Sequence, residues 1–170
     1  MVVESGEGLV DSDSYVSVEF ADDYFSARGI AGWSDLEVES KEQALVRATD
    51  YIDNIFQWHG KQAKPEQALR FPRTNLRDFE GNEVSGIPVR LKQAVCDAAV
   101  MISGGTELFQ TQGENGDVVS ENITSLSFTY SKTEKAVTSK TLYDSINTKL
   151  RGLFRDSGSN RVISGKVERV

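Results

Sequence analysis

Ser40-Lys41-Glu42-Gln43-Ala44-Leu45-Val46-Arg47-Ala48-Thr49-Asp50-Tyr51-Ile52-Asp53-Asn54-Ile55-Phe56 decides the fold class. Ala44, Leu45, Ala48, Tyr51, Ile52, Ile55 and Phe56 recur at three- and four-residue spacing, while Glu42, Arg47, Asp50, Asp53 and Asn54 fill the other side, the pattern of an amphipathic helix. Ser40 with Gln43 reads as a capping box and predicts the helix start there, with an end near Gln57. A helix with one apolar stripe must bury it against other elements, so further helices are expected on both sides in sequence.

Toward the N-terminus, Ser17 predicts an N-cap for a helix to about Arg28, with Phe20, Tyr24 and Ala27 on one face and Gly29 as the stop. Toward the C-terminus, Pro88 at the first helical position opens a third helix, striped by Leu91, Ala94, Val95, Ala98, Ala99 and Ile102 and broken at Gly104-Gly105. A last helix, about Ser139 to Arg155, aligns Leu142, Ile146, Leu150, Leu153 and Phe154. Leu126, Phe128 and Tyr130 alternate with Ser125, Ser127 and Thr129, predicting a strand with Val118-Val119 as its partner. The fold class is therefore mainly α: a bundle of three to four helices with a small β-hairpin, a long mid-chain loop from Trp58 to Gly86, and extended termini. Three parts are expected: a flexible acidic arm, 1–14; a helical domain, 15–156; and a C-terminal extension, 157–170. Within the loop, 65–69 reads as one helical turn and 78–82 as a tight turn.

The chain has 170 residues, enough for one core without disulfide or metal. One Cys (Cys96) and one His (His59) leave too few ligands for the usual zinc sites, and a lone histidine cannot by itself build a catalytic triad. Neither a signal peptide nor an apolar run near the roughly 18 to 20 residues of a membrane span is present, so a cytosolic chain with no membrane partner is expected. Phosphate-loop, dinucleotide, nucleophile-elbow and zincin motifs are absent, and the expectation is no enzyme and no cofactor.

Net charge is −7, unevenly spread: residues 1–57 hold 13 acids and 3 bases, residues 58–95 hold 4 and 7, and the remainder hold 9 of each. Asp22-Asp23 and Asp50 with Asp53 are read as solvated helix faces, Cys96 as a buried small hydrophobe and His59 as a cap or surface residue. The distinctive segment is Arg70-Phe71-Pro72-Arg73, with Lys61 and Lys64 before it and Arg77 after it. Cations near Trp58 and Phe71 could hold single-stranded nucleic acid by phosphate contact and base stacking. The favoured alternative is that Leu69 and Phe71 anchor the loop while the arginines meet acidic helices or a neighbouring subunit. Arg161, Val162, Ile163, Lys166, Val167 and Arg169 form a basic and apolar tail suited to docking on a protein partner.

The order Tyr15-Val16-Ser17, Ala21-Asp22-Asp23-Tyr24-Phe25-Ser26-Ala27-Arg28-Gly29, Trp33, Lys41 to Asp53, Phe71-Pro72-Arg73, Ile87-Pro88, Leu91-Lys92-Gln93-Ala94 and Cys96-Asp97-Ala98-Ala99 resembles tailed-phage head-to-tail connector, or adaptor, proteins over residues 15 to 155. Some members carry the label DnaT-like single-stranded-DNA-binding protein. The resemblance implies a structural virion protein of the neck, assembled in the host cytoplasm. Its copies would form a ring, typically of twelve, between the portal and the next tail or neck protein, with double-stranded DNA passing through without sequence-specific binding. The tail residues from Arg161 to Arg169 would then dock on the portal. The alternative function is single-stranded nucleic-acid binding in phage replication.

Overall fold

The structure, a computed structural model, describes residues 1–105 and 139–155. Its elements run α1 (Val18–Ser26), a 3-10 turn (Ala31–Trp33), α2 (Val38–Ile55), β1 (Lys61–Gln62), β2 (Arg73–Thr74), α3 (Val89–Ser103) and α4 (Ser139–Leu150). The protein is mainly α, as the helical periodicity predicts. Central α3 packs against both α2 and α4, and α1 lies against α2 and α3. Every residue of α3 from Ala94 to Ile102 is buried, and its alanines let the neighbouring helices approach closely.

α1 starts where expected: the Ser17 hydroxyl accepts from Phe20 N at 3.2 Å, and Gly29 takes φ +66° beyond the helix end. α2 starts two residues before Ser40, so the expected capping box does not form. Glu37 holds the N-cap position without a side-chain bond, and Glu37 and Glu39 place negative charge at the positive end of the helix dipole. Pro88 sits at the N-cap of α3 rather than inside the helix. α4 ends at Leu150 instead of Arg155, because Gly152 turns the chain at φ +85°. The following residues pair with the end of the α2 connection, through His59 N to Leu153 O at 3.0 Å and Arg155 N to Gln57 O at 2.7 Å. That pairing packs Phe154 against Phe56, ring centroids 4.5 Å apart and the rings tilted by 49°.

The described residues contain a hairpin that the alternation pattern does not indicate. It forms inside the mid-chain loop, antiparallel, with Lys61 opposite Thr74 and Gln62 opposite Arg73. The strands predicted around 118–130 fall outside the described residues. The 65–69 stretch is a turn rather than a helical turn: Gln67 ties it by accepting from Lys64 N at 2.9 Å and donating to Leu69 O at 2.7 Å. The 78–82 turn forms as expected, with the Asp78 carboxylate accepting from Glu80 N and Asn82 N.

Residues 1–14 are not a free arm. Asp13 N donates to Val2 O and Glu4 N to Ser14 O, both at 2.8 Å, closing the segment into a loop. The Glu4 carboxylate is buried inside it, accepting from Gly6 N, Gly8 N, Leu9 N and the Ser12 hydroxyl. Burial alone would raise its pKa, but those donors outweigh it and hold the carboxyl below the ordinary value. Composition hid this because a carboxylate solvated by backbone N–H groups leaves no apolar trace. Ala68 N donates to Leu9 O at 2.8 Å, tying this loop to the basic segment.

Candidate functional site

The basic segment hangs from α2 by a buried carboxylate. Asp53, 9% exposed, accepts from Arg70 N at 2.8 Å. The Tyr15 hydroxyl donates to the same carboxylate, 2.8 and 2.9 Å from its two oxygens, and accepts from Phe71 N at 3.0 Å. Asp53 is thus not on a solvated face: α2 is buried around Thr49 and from Tyr51 to Asp53, wider than one stripe. Burial pushes the Asp53 carboxyl up to about 6, against the opposing pull of the Arg70 and Tyr15 hydrogen bonds. Burial, then the Asp53 charge, drives the Tyr15 phenol above its ordinary value.

Phe71 is fully buried, edge-on to Tyr15 and Trp58, and is joined to Pro72 by a cis peptide bond. Leu69 is buried with it, so these two residues anchor the loop as expected. Trp58 is buried as well, and neither ring is open for stacking on a base. Arg73 bonds three backbone carbonyls, His59 O at 2.6 Å, Gly60 O at 3.0 Å and Arg70 O at 3.0 Å. This brings Arg70 and Arg73 together at the base of the hairpin, beside Lys61. Gly60, at φ +72°, is needed here, since a Cβ would stand 2.5 Å from Thr74 O. Lys61, Lys64 and Arg70 are exposed; Arg77 lies further along, bonded to Gly81 O at 2.8 Å. Among the described residues, none of Arg70, Arg73 and Arg77 forms an ion pair with the acidic helices. The tail residues Arg161 to Arg169 fall outside the described residues.

A second buried aspartate joins three helices. Asp97 of α3, 4% exposed, accepts from Tyr24 of α1 at 2.8 Å and from Ser145 of α4 at 2.8 Å. It also forms an ion pair with Lys149 of α4, whose ammonium reaches the Tyr24 hydroxyl at 2.7 Å. The signal was its position: an aspartate set among Val95, Cys96, Ala98 and Ala99 cannot avoid burial. Cys96 is buried as expected, its thiol pushed up to about 12 by burial and then by the Asp97 charge. His59 is exposed, with its N–H donated to Leu153.

A cleft of about 490 Å³ opens beside the 3-10 turn, between Phe25, Ile30, Trp33 and Lys41. Three of its polar groups engage one another, since Trp33 Nε1 and Lys41 Nζ both donate to Asp22 Oδ1, at 2.7 and 3.0 Å. Asp22 is therefore a structural acceptor as well as a solvated charge, its side chain remaining 44% exposed. Among the described residues, no three His, Cys, Asp or Glu side chains converge as a metal site, and no helix is long and apolar enough to cross a membrane.

Fold and site together define a mainly α domain that carries a basic hairpin on its surface. The chain belongs to the family described as "Putative DnaT-like ssDNA binding protein", whose model matches residues 1–170. The match agrees with the DnaT-like label within the sequence resemblance and extends past residues 15–155 to include the N-terminal loop. No similar curated protein and no similar solved structure was found.

Proposed function

We propose that the protein is a structural subunit of a tailed-phage neck, a head-to-tail adaptor without catalysis or cofactor. Its copies close a ring, of twelve by the resemblance, that joins the portal to the tail and lines the DNA channel. The observation that carries this reading is charge separation within one hydrogen-bonded fold. Residues 1–57 expose Glu7, Asp11, Asp13, Glu19, Asp23, Asp35, Glu37, Glu39 and Asp50 against Arg28 and Arg47, while the hairpin exposes Lys61, Lys64 and Arg70 against Glu66. A cyclic ring joins two different faces of each subunit, and opposite charge on those faces favours that contact over like-to-like pairing. The acidic third also suits a channel wall that repels phosphate. In this reading the tail from Arg161 to Arg169 docks on the portal.

The test is electron microscopy of the protein mixed with its portal, beside the protein alone. A ring capping the portal is expected, and its absence at micromolar concentrations of both would overturn the reading. Removing residues 161–170 is expected to weaken portal binding; unchanged binding would sink the docking role of the tail.

A second reading, single-stranded DNA binding in replication, is favoured by the family description and by three exposed cations on one hairpin. Against it stand the burial of Trp58 and Phe71 and the use of the Arg73 guanidinium within the loop. It predicts affinity for single strands that falls steeply with salt, and loss on changing Lys61, Lys64 and Arg70 together to Ala. No binding at low salt eliminates it.

A further inference from the structure

The cleft beside the 3-10 turn shows solvent a carboxylate and hides the ammonium paired with it. Asp22 keeps 44% of its side chain exposed, while Lys41 keeps 9%. Both Trp33 and Lys41 donate to Oδ1, so neither bond uses Oδ2. Phe25, Ile30, Ala31 and Trp33 give the cleft an apolar lining. Ser34, also on the lining, donates to Asp35, which brings a second carboxylate to the rim. Val38, 61% exposed, stands one turn before Lys41 on α2 and adds apolar surface there.

Residues 19–41 carry six acids and two bases, and both bases are engaged. Lys41 is held by Asp22. Arg28 is held by Tyr24, with the guanidinium carbon 3.5 Å from the ring centroid and a bond to Tyr24 O at 3.0 Å. Tyr24 bonds Asp97 of α3, so Arg28 is drawn to a face of α1 other than the one lining the cleft. An apolar cleft with exposed carboxylate and engaged cations fits an arginine or lysine followed by aliphatic residues, the charge on the carboxylate and the stem on the apolar wall.

This chain holds such a segment. Arg161-Val162-Ile163 opens a stretch, 161–170, with three cations and one acid. It begins six residues beyond Arg155, which is bonded to Gln57 past the end of α2. Six extended residues cover about 20 Å, and α2 alone spans about 21 Å from Lys41 to Ile55. To meet its own cleft, Arg161 would need a chain drawn straight along the whole helix.

Resting on the ring reading above, we propose that Arg161-Val162-Ile163 of one copy occupies this cleft on the next. The guanidinium meets Asp22 and Asp35, and the two aliphatic side chains lie against Phe25 and Ile30. The contact is heterologous, a cleft on one copy filled by the tail of another. Ser164-Gly165 separates this half of the tail from Lys166-Val167-Glu168-Arg169, which stays available to the portal.

The experiment mixes two full-length chains, one with Ala31→Cys on the exposed cleft wall and one with Val162→Cys; the native Cys96 is buried. Mild oxidation is expected to link them into a mixed dimer, identified by its mass. Adding Ser26→Arg to the Ala31→Cys chain sets a guanidinium four residues from Asp22 at an exposed lining position, and is expected to cut the link by on the order of tenfold. Rings counted by electron microscopy, with portal present, are expected to fall by a similar factor in Ser26→Arg and in Arg161→Glu, with unchanged thermal melts. No mixed dimer, a dimer indifferent to Ser26→Arg, or full ring counts in both variants overturns this contact. A link within the chain carrying both cysteines, with none between chains, also overturns it and returns the tail to its own cleft. In each of these cases wild-type rings on the portal leave the adaptor reading standing. If the wild type forms no ring under any condition, the adaptor reading fails and this contact falls with it.

Discussion

Asp53 and Asp97 are both buried helix aspartates, and the protein treats them differently. Asp97 is compensated by the Lys149 ammonium and by two hydroxyls drawn from α1 and α4. Asp53 faces only neutral donors, the Tyr15 hydroxyl and Arg70 N, with the Arg70 charge nearby and the Asp50 charge opposing it. A charge buried with a counter-charge holds α4 to the rest of the bundle across a long stretch of sequence. A charge buried without an ion-pair partner holds the N-terminal loop and the basic segment, and its ionised form is disfavoured. The frame is fastened by an ion pair, and the charge-bearing loop by neutral donors to a carboxylate that has no ion-pair partner.

The largest expected effect tests the ion-pair half of that contrast. Asp97→Ala leaves Lys149 without its counter-charge and strips an acceptor from Tyr24 and Ser145, a loss of about 3–5 kcal/mol in chemical denaturation. Replacing both charges, Asp97→Leu with Lys149→Met, is expected to cost much less, because no uncompensated ion remains. Equal losses in the two variants would mean that packing of α4, and not charge pairing, sets the stability there. Next comes Asp53→Ala, at about 2–3 kcal/mol, since Tyr15 and Arg70 N lose a buried acceptor. Hydrogen exchange should locate this loss at the amides of Arg70 and Phe71 and leave α4 protected. Exchange accelerating equally in both regions would erase the distinction between frame and loop.

Much of the frame is legible in the sequence because helical periodicity reports burial on one side. Ser17 as cap, the stripe of α3 and the core role of Phe71 follow from spacing and residue type alone. The contrast between the two aspartates does not, because periodicity treats every charge as solvated. Asp53 stands on a helix buried around more than one stripe, and Asp97 sits inside an unbroken apolar run that should itself have indicated a buried carboxylate. The N-terminal loop was hidden for a related reason: Glu4 is satisfied by N–H groups that every sequence possesses. The hairpin at Lys61 and Arg73 is two residues per strand, too short to show alternation. Of the candidate site, the exposed cations Lys61, Lys64 and Arg70 were legible. The inward role of Arg73 was not, because an arginine bonded to carbonyls and one waiting for phosphate read alike.

The smallest effect is also the most specific to Asp53. Its carboxyl is raised from an ordinary 3.8 to about 6, so the native state holds a proton that the unfolded chain has already released between those values. Stability from this group is fully present below the unfolded pKa and is lost as pH rises through about 6. Relative to Asp53→Asn, the wild type should therefore gain about 1 kcal/mol on going from pH 7.5 to pH 5. The asparagine keeps an acceptor for Tyr15 and Arg70 but cannot titrate. Comparing the two proteins at each pH removes the contribution of Glu4, whose lowered pKa acts in the opposite direction. Melts at the two pH values measure the difference. If it does not change with pH, Asp53 is ionised throughout, its neutral donors suffice to hold a buried charge, and the contrast with Asp97 lies in geometry alone.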